Sequence, residues 1–165
     1  MHAAASPWLL QASLALAPCP PGGAVLTQAF DLAPVRWVIH AVGPIYRGPQ
    51  DAATLTSAYT QALARADEVG ATSVAIPSIS TGAYGYPLAV AAAVSVQALC
   101  GAVTAVQSVL LVAFSHRVQE LALGAGSGRL TAQSRYRYKV GAGRVAALRG
   151  GGLPNSTRPV DAKSG

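Results

Sequence analysis

The feature that most limits how this chain can fold is one short segment, Pro77-Ser78-Ile79-Ser80-Thr81-Gly82-Ala83-Tyr84-Gly85-Tyr86-Pro87. It follows Ser73 to Pro77, which reads as a short buried strand. It precedes an apolar run from Leu88 to about Val103, opened by Pro87, which reads as a helix. A strand that passes through a glycine-punctuated loop straight into a helix belongs to an α/β layout. The loop then lies at the carboxyl end of the strand, where open α/β sheets bind ligands. Gly82 and Gly85 permit positive φ and a close approach of backbone to ligand. Successive N–H groups in such a turn form a nest for an anion, and the nearby helix start adds a favourable dipole. Ser80 and Thr81 offer hydroxyl donors, and Tyr84 offers a flat face to a sugar. The competing explanation is a tight turn whose glycines only satisfy geometry. The strand before, the helix after and the hydroxyls inside favour a ligand loop that holds the diphosphate of a nucleotide.

The flanking chain supports the same layout. Pro7 to Ala17 reads as a helix with Leu9, Leu10, Leu14 and Leu16 as its apolar points, ended by the proline–glycine run 18–23. Ala24 to Thr27 reads as a short strand and Arg36 to Val42 as a second, closed by Gly43-Pro44. Asp51 is a suitable N-cap for a helix whose stripe is Leu55, Ala58, Tyr59, Ala62, Leu63, Ala66 and Val69, with Gly70 as its stop. The helix from Leu88 is apolar all round, which predicts burial between layers. Ser108 to Phe114 is another solidly apolar strand, and His116 to Leu123 begins a last helix. Strands alternate with helices, so the expected architecture is a parallel or mixed sheet with helices on both faces.

Charge divides the chain. Residues 1–116 hold three arginines and four acids, whereas residues 117–165 hold nine basic and two acidic residues. Nine of the 17 glycines also lie in 124–165, where no apolar period survives, so this part is predicted to be a basic, disordered tail. The run Arg135-Tyr136-Arg137-Tyr138-Lys139 mixes base and aromatic as some single-strand binders do. It is read here as solvated tail, with no nucleic-acid partner assigned. Cys19 and Cys100 are too few for a disulfide framework and lack metal-ligand spacing, so a reducing, cytoplasmic location and no metal are expected, with Cys100 buried in its helix. The apolar start, Met1 to Ala17, lacks a positive n-region and is interrupted by Pro7 and Gln11, so no signal peptide is assigned. The run Leu88–Val103 is too short to span a bilayer comfortably, and no membrane association is expected. His40 falls inside a buried-strand pattern and reads as a satisfied core histidine. His116 reads as a surface residue and Cys19 as structural.

Ile79-Ser80-Thr81-Gly82-Ala83-Tyr84-Gly85-Tyr86-Pro87 resembles the second ligand loop of macro domains, the ADP-ribose-binding modules. Four further segments fall in that family's order. HAAASPWLL resembles the helix after its first glycine loop, CPPGGAVLT its Cys-x-x-Gly-x-Ala stretch, VRWVIHAVGPIY its strand ending in His-x-Val-Gly-Pro, and SVAIP the strand before the ligand loop. The resemblance covers residues 2–123, a partial domain followed by the tail 124–165. It implies a three-layer αβα fold and a family that includes O-acetyl-ADP-ribose deacetylases and ADP-ribosyl hydrolases, with no cofactor. Carried over by position, Ser80, Thr81, Gly82, Ala83, Tyr84 and Gly85 contact the diphosphate and distal ribose, with Tyr84 along the ribose. Phe114 matches where the family often stacks an aromatic on adenine; a core aromatic is the equal alternative. His2 matches a histidine on the helix after the first glycine loop and is expected to be idle.

The sequence also departs from the family. The family's opening strands, its Asn-rich segment and its Asp-bearing glycine loop come before the position of His2, so the match is N-terminally truncated and no catalytic residue is assigned. Its Gly-Glu-Ala stands here as Gly22-Gly23-Ala24. An upstream start and a decayed gene are both compatible with this pattern. The implied activity of the complete form is hydrolysis of ADP-ribose esters through a positioned water. A binding module without turnover and a non-functional remnant are the alternatives.

Overall fold

In the computed structural model the described residues are 7–113, 120–121, 124–125 and 136–140. The first helix, α1, spans Pro7–Ala15. Two strands follow, β1 at Ala24–Gln28 and β2 at Trp37–Ala41, paired antiparallel with Leu26 opposite Ile39. Side chains alternate across a strand, and β2 uses both faces. Val38 packs with Leu9 of α1 and Ala29, while Ile39 packs against the larger core on the other side. Helices therefore cover both faces of this pair, as the αβα layout requires.

Helix α2, Asp51–Glu68, is the longest element. Its buried residues are Leu55, Ala58, Tyr59, Ala62, Leu63 and Ala66, the stripe that the 3.6-residue period predicts. The helix ends in a Schellman arrangement. Gly70 at φ +62° donates to the carbonyl of Asp67, and Ala71 donates to that of Ala66. Asp51 is the first helical residue rather than the cap. Its Oδ2 turns back to accept the amides of Arg47 at 2.6 Å and Gly48 at 3.1 Å, so the carboxylate closes the preceding turn. Gln50 holds the cap position without a side-chain bond.

Strand β3, Ser73–Pro77, pairs in parallel with β4, Ser108–Ala113, and helix α3, Leu88–Gly101, makes the crossover between them. Pro87 occupies the N-cap position of α3, and its carbonyl accepts the amide of Ala91 at 2.9 Å. The buried residues of α3 are Ala91, Ala92, Ser95, Val96, Ala98 and Leu99, whereas Ala89, Val90 and Ala93 are exposed. The expectation of burial all round is thus corrected. One side of α3 packs on α2 and the sheet, and small apolar residues face out. Helix α1 departs in the same way, with Leu9 buried and Trp8, Leu10 and Leu14 exposed. Cys100, near the end of α3, is half-buried rather than buried, and Cys19 and Cys100 are not joined in a disulfide.

A further strand, β5 at Tyr136–Val140, lies parallel to β4 on its other side. It falls in the region that the sequence predicts to lack order. The run Tyr-Arg-Tyr-Lys-Val contains β-favouring residues, and β4 offers it a row of hydrogen-bonding groups. Among the described residues the strands form two sheets, β1-β2 and β3-β4-β5, rather than the single sheet expected. One core cluster joins them. It contains Leu55, Tyr59 and Leu63 of α2, Ile76 of β3, Leu99 of α3, and Val109 and Leu111 of β4, with Ile39 of β2 packed on its margin. Among the described residues, no helix is long and apolar enough to cross a membrane.

Asp67 fastens the end of α2 to the approach of β4. Its Oδ1 accepts from Thr104 Oγ1 at 2.8 Å and from the amide of Ala105 at 3.0 Å. Asp67→Ala removes both bonds and is expected to lower stability by about 1–3 kcal/mol, read as a shift in the urea midpoint at unchanged slope.

Candidate functional site

The loop between β3 and α3 is pinned from three directions. At its entrance the amide of Ile79 donates to the phenol oxygen of Tyr59 on α2, at 3.0 Å. At its exit the amide of Tyr86 donates to the carbonyl of Ser80, at 3.0 Å. From the side, the amide of Tyr46, in the connection between β2 and α2, donates to the carbonyl of Tyr84 at 2.9 Å. The rings of Tyr46 and Tyr86 meet at 4.8 Å with a 59° tilt, a packing that aromatic quadrupoles favour. The loop therefore folds back on itself and leaves Gly82, Ala83, Tyr84 and Gly85 exposed as a crest, with Tyr84 42% accessible.

Backbone geometry differs in detail from the sequence expectation. Positive φ falls on Gly85, at +67°, and on Ser80, at +65°, not on Gly82. The amide of Gly85 is spent within the loop on the carbonyl of Gly82, at 2.9 Å, so it is not available to a ligand. The amides of Ser80, Thr81, Gly82, Ala83 and Tyr84 meet no acceptor among the described residues. The expected hydroxyl donors are also otherwise placed. Thr81 Oγ1 donates to the carbonyl of Ser78 at 3.1 Å, and Ser80 Oγ is buried without a partner. The loop offers main-chain N–H groups rather than side-chain hydroxyls.

Gly43 explains the buried Ser80 hydroxyl. A Cβ built on Gly43 would overlap Ser80 Oγ and the Cγ2 of Ile79. The end of β2 thus lies directly against the start of the loop, and only a residue without a side chain fits between them. Tyr59 is fully buried. Burial pushes its phenol up from 10.0 to about 12, with the Ile79 amide and the Ser95 hydroxyl pulling the other way. The Tyr86 hydroxyl, buried and unpartnered, is also pushed up, first by burial and then by Tyr46 and Asp51.

Other residues singled out in the sequence lie elsewhere. His40 sits in β2, half-buried, its Nε2 2.9 Å from Thr27 Oγ1 on the neighbouring strand. Cys19 is half-buried in the turn before β1, its thiol facing the carbonyl of Pro20 at 3.9 Å. Phe114, His2 and His116 lie outside the described residues. Among the described residues, no three His, Cys, Asp or Glu side chains gather so as to hold a metal ion. Sequence reasoning missed Gly43, Tyr46 and Tyr59 as parts of the loop's frame. A phenol inside an otherwise aliphatic stripe was the available signal, because a buried tyrosine hydroxyl needs a partner.

Residues 1–95 match the macro domain family, and the chain belongs to it. The O-acetyl-ADP-ribose deacetylase of Enterobacter cloacae subsp. cloacae is 47% identical over 102 residues, 58% of this chain and 56% of that protein. A macro domain-containing protein of Streptomyces coelicolor is 43% identical over 102 residues, 61% of this chain and 60% of that protein. The chain thus spans between 56% and 60% of the length of these two relatives. Among solved structures, the Oceanobacillus iheyensis macrodomain with ADP superposes at a TM-score of 0.67 with 33% identity, covering 77% of this chain and 72% of that one. The Trypanosoma brucei macrodomain in complex with ADP-ribose gives 0.64 with 29% identity, covering 73% and 52%. The helices and mixed strand directions fit the α/β macro fold.

Two outcomes are expected. Gly43→Ala forces the end of β2 away from the loop. It should cost about 1–3 kcal/mol in denaturant unfolding and shift the amide resonances of residues 79–82. The Tyr59 phenol sets an alkaline limit. An unfolded chain ionises near 10.0 whereas the folded one holds its proton to about 12, so unfolding releases a proton in that window. Stability is fully present below pH 10 and falls as pH rises toward 12, by about 2–3 kcal/mol. Tyr59→Phe should flatten that part of the pH–stability curve.

Proposed function

We propose that this chain binds ADP-ribose or an ADP-ribosylated derivative through the loop Ser80–Gly85. The diphosphate sits against the amides of Ser80 to Tyr84, and the exposed ring of Tyr84 lies along the distal ribose. The observation that carries this reading is the crest of main-chain N–H groups left without acceptors beside an open surface. Such donors suit a dispersed, anionic acceptor better than a neutral one. Names of relatives support the ligand class: two solved neighbours hold ADP and ADP-ribose, and a curated relative is called an O-acetyl-ADP-ribose deacetylase. Phe114, immediately after β4 in sequence, is the proposed stacking partner for adenine, and a reducing, cytoplasmic compartment suits two cysteines that are not joined in a disulfide.

The protein is also proposed to hydrolyse ADP-ribose esters, as an O-acetyl-ADP-ribose deacetylase or ADP-ribosyl hydrolase. The loop's part in that reaction is orientation. It anchors the diphosphate and so fixes the ester relative to an attacking water. A second reading is a binding module without turnover. It is favoured by the loop itself, which contributes no ionisable acid, base or thiol between Ile79 and Gly85 other than the Tyr84 phenol.

Calorimetry with ADP-ribose tests the site. A Cβ at Gly82 meets nothing within 4 Å, and Gly82 is not at positive φ, so Gly82→Glu should leave the fold intact. Its carboxylate beside the diphosphate is expected to weaken binding by about 1–4 kcal/mol, roughly ten- to thousandfold. Equal affinity in the variant would place the site elsewhere, and no heat with the parent would remove the ADP-ribose reading altogether. Acetate release from O-acetyl-ADP-ribose separates an enzyme from a binder.

A further inference from the structure

We infer that Tyr59 is a positioning residue for the ligand loop, holding its amides in a binding geometry from inside the core through the hydrogen bond that its phenol accepts from the amide of Ile79. This inference rests on the proposed role of the loop. The Tyr59 side chain lies in the core cluster at the middle of α2, with none of its surface exposed. Its phenol oxygen accepts the amide of Ile79 at 3.0 Å, the residue directly before Ser80. The Ser95 hydroxyl on α3, itself buried, donates to the carbonyl of Ala92 at 2.9 Å within its own helix.

The directions of these bonds follow from the groups present. The Ile79 amide donates to the phenol. The phenol oxygen is thus the acceptor that fixes the loop amide.

What this bond holds in place is costly to hold. Ser80 is a non-glycine residue at φ +65°, in the left-handed region that L side chains avoid. Such a conformation persists only where its surroundings over-determine it. Here the Ile79 amide is fixed on one side of Ser80, and the Ser80 carbonyl is fixed by the Tyr86 amide on the other. If the first bond is released, Ser80 can relax to negative φ, and the amides of Ser80 and Thr81 turn away from the crest. A phenylalanine would fill the same space at position 59 without holding the loop.

Tyr59→Phe in the full chain tests this, with Leu63→Ala, one turn further along α2 in the same core cluster, as a control. In the unliganded variant, hydrogen exchange at Ile79 is expected to speed up about tenfold, with shifted amide resonances confined to residues 79–84, and the Kd for ADP-ribose to rise about tenfold. Leu63→Ala is expected to lower stability while leaving the exchange pattern at 79–84 and the Kd unchanged. Parent-like exchange and shifts at 79–84 in Tyr59→Phe would overturn the inference, as would an equal loop effect in Leu63→Ala. If Tyr59→Phe does not fold, the parent decides: an Ile79 amide that exchanges at least about tenfold more slowly than those of Thr81 and Gly82 supports the inference, and equal exchange overturns it. A loop that loosens as expected in a parent protein that binds no ADP-ribose would sink the proposed ligand and leave the positioning intact.

Discussion

The structure depends on the buried face of α2. Among the described residues the two sheets share no hydrogen-bonded ladder, so what joins them is packing against this helix and α3. Apolar packing is strong but not directional, and by itself it would let the sheets slide. Direction comes from three polar side chains on the same helix. Ser57 Oγ donates to the carbonyl of Gly22 at the start of β1, the Tyr59 phenol accepts the amide of Ile79, and Asp67 accepts from Thr104 and Ala105 before β4. Each bond reaches a different part of the chain. The helix supplies both the adhesive surface and the marks that fix where its neighbours sit.

The chemistry of the site follows from what the loop does not use. Its hydroxyls are turned inward, one onto a carbonyl and one against Gly43, and the Gly85 amide closes a turn. The main-chain N–H groups of Ser80 to Tyr84 are left without acceptors among the described residues, on a frame made of Tyr46, Tyr59 and Tyr86. Such groups cannot ionise, and their positions are set by the backbone alone. A site of this kind keeps the same charge pattern at any pH at which the protein folds. The anion proposed as its ligand would be held by shape and dipole rather than by an opposing charge.

Much of this arrangement was legible in the sequence, for identifiable reasons. The α2 stripe obeys the helical period, and the strands are short β-rich runs ended by glycine or proline, so the element order and family could be read directly. The ligand loop stood out because two glycines and two hydroxyl residues lie between a strand and a proline-led helix. Other features depend on contacts distant in sequence. That Asp51 closes a turn instead of capping a helix is decided by Arg47 and Gly48 folding back. That Ser80 hides its hydroxyl is decided by Gly43, 37 positions earlier. The strand at Tyr136–Val140 could not be read from local order in a glycine-rich basic region, because it exists by pairing with β4.

The contact between Gly43 and Ser80 has a consequence for how such a chain can change over generations. The two residues occupy one shared volume, so neither can be replaced without regard to the other. A methyl group at position 43 becomes admissible only where position 80 gives up its hydroxyl and the Ile79 side chain also yields, and glycine at 80 would suit the left-handed backbone there. Positions in two separate loops are thereby bound into a single epistatic unit. Drift in the connection after β2 is constrained by the ligand loop although it need never touch a ligand.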